Sequence, residues 1–406
     1  MGTANLKQGL RLVEEPQQIG YRKTVAELWT AQQRQMHSMH YVVSYRASFK
    51  PELPDFFIKR YSEKGAVVLD PFSGRGTTAL QANLLGRVAF ACDINPLAIQ
   101  LTKAKTSPAG LDEVVLKLNQ VDFRRPVDMS GFTGELTPFY NSETYRELMN
   151  LRLYLKKNKD RVSNFIELLA ISRLHGHSPG FFSVYSFPQI SIPPNRQELI
   201  NRSRRQVPEY RSVAPRIIRK AAQALRDGFS TEFLSVASAN MIEPSDARSM
   251  KFIASNSVDL VVTSPPFLDK VDYIADNWLE FWFTGINPMR FKQNLIMCRS
   301  LDEWSRFVGD FLMELLRVVK PKGYAVIEVG EVENSSGMIF LDEVVAKMAE
   351  KTSIGGKRFI IEEVLINQQN FTKLANCFRV DNNTKGTNTN RMVVLKAVAK
   401  NTTSRR

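Results

Sequence analysis

The sequence predicts an α/β fold, a parallel sheet covered by helices and interrupted by a basic helical insertion. Three observations carry this. From about residue 40 to 105, apolar runs of strand length alternate with helical patterns. That rhythm stops at 106 and resumes at about 233. The stretch between is polar, basic and helical in its periodicity.

In chain order, AVVLD (66–70) reads as a buried parallel strand, followed by a glycine-bearing turn and a helix through TTALQANLLG. RVAFACD (87–93) is a second strand and NPLAIQLTKAK a second helix. In the interruption, YRELMNLRLYLKK and APRIIRKAAQALRDG are helical, separated by the Pro/Gly/Ser/aromatic loop HGHSPGFFSVYSFPQISIPPN. VDLVVTS (258–264) restarts the sheet. SRFVGDFLMELLRVVK (305–320) is an amphipathic helix ended by PKG. YAVIEVG (324–330), FIIEEVLI (359–366) and RMVVLKAVA (391–399) are further strands. The expected organisation is a first catalytic segment over 1–105, an inserted region over 106–230, a second catalytic segment over 231–400 and a frayed tail over 401–406.

Composition narrows the function classes. A chain of 406 residues exceeds one minimal domain, and 43% hydrophobic residues is ordinary for a globular protein. No run of about 18 uncharged apolar residues exists, so no membrane span is expected. The start, MGTANLKQGLRLVEE, has no apolar signal region, and Leu6 stands where myristoylation expects Ser or Thr. Three cysteines without a CxxC pair argue against a disulfide framework and a zinc site, and for a cytoplasmic location. His175 and His177 form an HxH without a third ligand nearby, so no metal is expected. The net charge is +14, and residues 151–230 alone hold 15 Lys+Arg against 5 Asp+Glu. Such concentration points to a polyanionic partner.

Two motifs carry chemistry. DPFSGRGTT, from Asp70 to Thr78, joins a strand to a helix, and Gly74 and Gly76 allow a tight turn and close ligand approach. It is neither the dinucleotide fingerprint nor a P-loop, since the third glycine and the Gly-Lys pair are missing. Asp93, 17 residues beyond Gly76 at the end of the second strand, stands where ribose hydroxyls need an acceptor. The combination suits an adenosine ligand without pyrophosphate. The second motif, TSPPF (263–267), directly follows VDLVV. Pro265 and Pro266 fix φ and have no N–H, so their carbonyls and the Ser264 hydroxyl are acceptors on a rigid frame. Phe267 offers a face for stacking.

These residues resemble the DNA amino-methyltransferases that modify N4 of cytosine or N6 of adenine. The resemblance implies a Rossmann-like, class I S-adenosylmethionine-dependent fold. DPFSGRGTT is similar to that family's methionine-and-ribose loop, which implies cofactor contacts at Asp70, Phe72, Gly74, Gly76, Thr78, Asp93 and Asn95. YRASFKPELPDFFIKRY (45–61), with Phe49, resembles the segment packed on the methionine end. SDARSM, with Asp246, resembles the turn that meets the adenine amino group. TSPPF is similar to the catalytic motif, implying roles for Ser264, Pro265, Pro266 and Phe267. Serine before Pro-Pro is typical of cytosine-N4 enzymes, whereas adenine enzymes usually carry Asp or Asn. An exocyclic amine is a poor nucleophile, and two acceptors on its N–H bonds aim its lone pair at the methyl donor.

The resemblance covers about residues 40–105 and 233–400. It also implies base flipping, double-stranded DNA as partner, a cognate restriction endonuclease, and a bacterial, archaeal or phage origin. Within the insertion the densest basic run is Arg202, Arg204, Arg205, Arg211, Arg216, Arg219 and Lys220, expected to contact DNA phosphates. C5-cytosine chemistry is not supported, because Ala91, Met297 and Asn376 precede the cysteines where a Pro-Cys nucleophile is needed. An adenine-N6 enzyme, an RNA guanine-amine methylase and an inactive DNA-recognition subunit remain as alternatives.

Overall fold

The computed structural model describes residues 11–12, 20–26, 28, 36–46, 48–266, 272–295, 298, 300–334, 337–368 and 389–399. Its strands are β1 (Arg11–Leu12), β2 (Lys23–Ala26), β3 (Val67–Asp70), β4 (Val88–Asp93), β5 (Met241–Pro244), β6 (Val258–Thr263), β7 (Val319–Val329), β8 (Glu331–Asn334), β9 (Gly337–Phe340), β10 (Ser353–Ile354), β11 (Lys357–Gln368) and β12 (Thr389–Ala399). The main sheet runs β1-β2-β11-β12-β7-β6-β3-β4-β5, with β10 on β11, while β8 and β9 form a separate hairpin. From β7 to β5 every pairing is parallel. β12 lies antiparallel between β7 and β11.

Strands buried on both faces need apolar residues at consecutive positions, and the central strands have them. Val68, Leu260 and Val262 feed the core on one side of the sheet, and Leu69 and Val261 feed the other. The strand order reverses beside β3. β4 and β5 extend to one side, and β6 returns on the other. The carboxyl ends of β3 and β6 therefore meet at a switch point, where open α/β sheets hold their ligands.

The helices are α1 (Glu52–Tyr61), α2 (Thr77–Leu84), α3 (Pro96–Thr106), α4 (Leu111–Leu118), α5 (Ser142–Lys157), α6 (Arg161–Ile171), α7 (Pro194–Arg204), α8 (Val213–Ala224), α9 (Thr231–Ala237), α10 (Trp278–Thr284), α11 (Leu301–Val318) and α12 (Leu341–Lys351). In α11 the Ser300 side chain accepts the Glu303 amide, and Trp304, Phe307, Val308, Phe311, Leu312 and Leu315 form the buried stripe. This helix stops at Val318, two residues before the expected end. Pro321 disfavours helical backbone at Lys320, and PKG instead lies within β7, where Lys322 takes φ 70° and the register against β6 shifts.

Helix α9 occupies Thr231–Ala237, where the sequence reading resumes the sheet at about 233, and packs on α2 and β4. In the insertion, the apolar residues Leu148, Leu151, Phe165 and Ile217 share one core with Leu80 of α2 and Leu97 and Leu101 of α3. The insertion is thus packed directly on the helices that follow the glycine turn. Among the described residues no helix is long and apolar enough to cross a membrane.

Candidate active site

The two motifs are joined by side chains at the switch point. Asp70, at the end of β3, accepts the Thr263 hydroxyl at 2.6 Å and the Phe72 amide at 3.1 Å. The residue is only 1% exposed. Burial raises its pKa to about 6, against the bonds from Thr263 and Phe72. Thr78, buried at the start of α2, donates to the Val262 carbonyl at 3.0 Å. The sequence places both residues against the cofactor. The structure instead uses them to bind the glycine turn to β6, and neither is open to a ligand.

Asp93 does face open space, being only partly buried. Its Oδ2 accepts the Gly74 amide at 2.9 Å and its Oδ1 accepts the Asn95 amide at 2.9 Å. Burial raises its pKa to about 6, against these amide bonds. Carboxylate oxygens offer about four lone-pair positions, so capacity for ribose hydroxyls remains. Gly74 has φ 49°, and a Cβ there would sit 3.6 Å from the Tyr45 ring. Gly76 has φ 73°, and its Cβ would stand 2.9 Å from Thr102 Cα. The second glycine therefore serves the close approach of α2 to α3, where the sequence suggests a ligand. Asn95 caps α3 through the Leu97 amide at 3.0 Å and donates from Nδ2 to the Tyr45 hydroxyl at 3.1 Å.

The remaining expected cofactor residues are more peripheral. Phe72 packs edge-on against Phe307 and Phe311 of α11. The Phe49 carbonyl accepts Arg75 Nη2 at 3.3 Å. Asp246 is gripped by Arg248, with Nη2 at 2.7 Å and Nε at 3.0 Å. Burial raises the Asp246 pKa, but the Arg248 side chain and amide bring it below the ordinary carboxylate value.

At the Ser-Pro-Pro turn, Ser264 bonds to Glu328 of β7, whose carboxyl also accepts Asn390 Nδ2 at 2.8 Å. Burial raises the Glu328 pKa, and the Ser264 and Asn390 bonds act against it. The Pro266 carbonyl accepts the Trp304 Nε1–H at 2.9 Å, which occupies one of its two lone pairs. Among the described residues none donates to the Pro265 carbonyl. Phe267 lies outside the described residues.

Four residues of the site escape a reading of the sequence: Tyr45, Tyr273, Glu328 and Trp304. Tyr45 stacks on Tyr273 with centroids 5.9 Å apart. The pair bridges the segment before the glycine turn to the segment after the Ser-Pro-Pro turn. Burial and then Asp93 raise the Tyr45 pKa, and the same causes push Tyr273 up to about 12. Beside them Arg46 pairs with Asp276 at 2.8 Å. No periodicity marks such contacts, although the aromatic positions beside each motif are a usable signal.

The basic run divides. Arg202, Arg204, Arg205 and Arg219 are exposed, and Arg216 is partly so, donating to the Pro179 carbonyl at 3.0 Å. Arg211 is buried, donating to the Ser183 and Phe181 carbonyls and pairing with Glu209 at 3.0 Å. Lys220, on the buried face of α8, reaches the Tyr41 carbonyl at 3.5 Å. These two fasten the insertion and are not available to phosphates. His175 bonds through Nε2 to the buried Glu280 at 2.8 Å, a tie between the insertion loop and α10.

The glycine turn, the acid that ends the next strand and the Ser-Pro-Pro turn thus gather at one switch point of an α/β sheet. The profile of the N6/N4 type described as DNA methylase matches residues 8–104 and 258–388, and the chain belongs to that family. The insertion falls between the matched segments. The chain is 20% identical over 311 residues to the Type II methyltransferase M.BsoBI of Geobacillus stearothermophilus, covering 71% of this chain and 60% of that protein. It is 32% identical over 79 residues to the Type II methyltransferase M.MjaII of Methanocaldococcus jannaschii, covering 20% of this chain and 15% of that protein. The chain thus spans less than two thirds of the length of these relatives. Among solved structures, a SAM-dependent methyltransferase from Methanosarcina mazei superposes with TM-score 0.35 at 9% identity, covering 85% of this chain and 98% of that one. TrmN from Thermus thermophilus gives 0.34 at 13% identity, covering 87% and 50%. The fold assignment rests on the sheet order itself.

Proposed function

We propose that this chain transfers the methyl group of S-adenosylmethionine to N4 of cytosine in double-stranded DNA, after the base has been flipped from the stack. The observation that supports this most is the placement of Ser264-Pro265-Pro266 at the end of β6, tied through Thr263 and Asp70 to the glycine turn. A donor bound at the turn and an amine held by the serine would then lie side by side. The residues fit the cofactor in one further respect. Asp93 is ordered by the loop amides of Gly74, Ile94 and Asn95 yet is only partly buried, which suits a ribose acceptor. S-adenosylmethionine, when bound, supplies an electrophilic sulfonium methyl.

The protein's part is positioning. The Ser264 hydroxyl interacts with Glu328, and its oxygen keeps a lone pair that can accept one N–H of the target amine. The Pro265 carbonyl accepts the other. With both N–H bonds held, the amine lone pair points away from the ring plane toward the methyl donor. Trp304 fixes the turn from behind through Pro266, so that neither acceptor must reorganise during transfer. Serine, where adenine enzymes usually carry Asp or Asn, supports cytosine as the target. The exposed arginines of the insertion supply phosphate contacts, and a partner endonuclease accords with the Type II names of the relatives.

The test is transfer of tritiated methyl from S-adenosylmethionine to duplex DNA, with RNA and the Ser264→Ala variant as controls. Label in DNA that depends on Ser264 is expected. Label in RNA and not in DNA would replace this reading with an RNA methylase.

A further inference from the structure

Helix α7 is fastened to the protein differently from its neighbours. Of its eleven residues only Gln197 is buried. The next helix, α8, buries Val213, Ile217, Lys220, Ala221 and Ala224. Ile200 packs against the core of the insertion, and a set of amides adds to this hold. Gln197 Nε2 donates to the Tyr185 carbonyl at 2.9 Å and to Asn201 Oδ1 at 2.8 Å, and Asn201 Nδ2 donates to the Pro138 carbonyl at 2.7 Å. Gln206 adds a second bond to Tyr185, at 3.0 Å. These contacts fix the helix and leave Asn195, Glu198, Leu199, Arg202 and Arg204 exposed.

That outer surface has a composition suited to base edges. Asn195, Leu199 and Arg202 stand at i, i+4 and i+7, along one ridge, and all three are exposed. Leu199 is 64% exposed, so its branched end is open to a partner. The Arg202 side chain is 78% exposed, and its pair with Glu198 is a loose 3.7 Å. Between 194 and 205 there are four arginines against one glutamate. Arg204 lies over the Tyr185 ring at 3.9 Å, and Arg205 ends the helix at φ 51°. An amide can address adenine, a guanidinium guanine, and an apolar branch the thymine methyl, and a helix fits the major groove.

The helix is also tied to the rim of the active site. Ser191, three residues before α7, donates its amide to the Asp276 carbonyl at 2.9 Å. Asp276 pairs with Arg46, beside the Tyr45–Tyr273 stack.

We infer that α7 is the sequence-reading helix of this chain: its Asn195–Leu199–Arg202 ridge enters the major groove of the target duplex, and Arg204 and Arg205 hold phosphates. This rests on the proposed DNA methylation and adds which surface selects the sequence.

The experiment methylates a plasmid library of random sequence with the full 406-residue chain and S-adenosylmethionine, then maps the modified positions by methylation-aware sequencing. Arg202→Gln should lose about ten- to hundredfold in discrimination at one base pair of the recognised motif, with cofactor affinity unchanged. Asn195→Ala and Leu199→Ala should each relax a different position. The double variant Arg204→Gln/Arg205→Gln should weaken all sequences alike and lower the slope of log affinity against log salt by about one for each phosphate left unneutralised. Thermal melts should match wild type, because these side chains are exposed. An unchanged motif in all three folded ridge variants, while wild type modifies a defined motif, overturns the inference alone. A wild-type chain that modifies no DNA overturns the proposed function and this inference with it.

Discussion

Asp93 should make cofactor affinity depend on pH in a direction its surroundings dictate. Its carboxyl has a pKa of about 6 in the folded protein, because burial outweighs the amide bonds from Asn95 and Gly74. Ribose hydroxyls donate to the ionised form, so binding selects it. With a pKa near 6, about nine tenths of the acid is ionised at pH 7 and about one tenth at pH 5. Affinity for S-adenosylmethionine should therefore be greatest above pH 6 and fall roughly tenfold between pH 7 and pH 5. The effect on folding has the opposite sense. A carboxyl whose pKa is raised on folding is most compatible with the fold when protonated. Its destabilising effect in the free protein is absent below pH 3.8 and complete above about pH 6. The gap amounts to a ceiling of roughly 3 kcal/mol, reduced by the partial exposure of the group. Calorimetric titration from pH 5 to 8, on wild type and Asp93→Asn, reads the first effect. The variant should bind about 1.5–3 kcal/mol more weakly at pH 7, with a flat profile. A wild-type profile that is flat, or a variant that keeps the slope, would refute the reasoning; the latter would move the titration to Asp70.

Three further outcomes follow from the site. Ser264→Ala removes one acceptor and keeps the proline frame, so single-turnover transfer should fall about 10²–10³-fold with cofactor affinity unchanged; a full rate would reduce Ser264 to a strand terminator. Trp304→Phe keeps a buried ring and loses the bond to Pro266, costing roughly 0.5–1.5 kcal/mol in urea unfolding. Its turnover should fall while cofactor affinity holds, and equal loss of both would mean that Trp304 serves the core alone. Gly76→Ala should destabilise by at least about 1–2 kcal/mol from the left-handed backbone alone. Shortening Thr102 should not rescue it, because the nearest obstacle includes the Thr102 Cα at 2.9 Å; rescue would place the strain in the side chain.

The central fold is legible in the sequence because its signals are local. VVLD and VDLVVT are apolar at consecutive positions, as strands buried on both faces must be, and Asp93 follows its strand at a spacing that one helix sets. What escapes depends on contacts distant in sequence. β5 is four residues ending in Pro244, too short for a period. Tyr45 meets Tyr273, and Ser264 meets Glu328, only once the switch point forms. Arg211 and Lys220 look like Arg204 and Arg219 in a charge count. The difference between a phosphate ligand and a buried fastener lies in the carbonyls around Arg211 and the Tyr41 carbonyl above Lys220. Asp70 and Thr78 do stand at the centre of the site, but their hydrogen bonds turn inward to β6 and not outward to a ligand.

The most direct test of the account is the identity of the methylated nucleoside. Duplex DNA incubated with the chain and S-adenosylmethionine, digested to nucleosides and separated by mass spectrometry, should contain N4-methyldeoxycytidine. That product should vanish with Ser264→Ala. N6-methyldeoxyadenosine in its place would keep the amine chemistry at the Ser-Pro-Pro turn and contradict the choice of base. The absence of any methylated nucleoside from DNA, with the cofactor bound and the protein folded, would contradict the account as a whole.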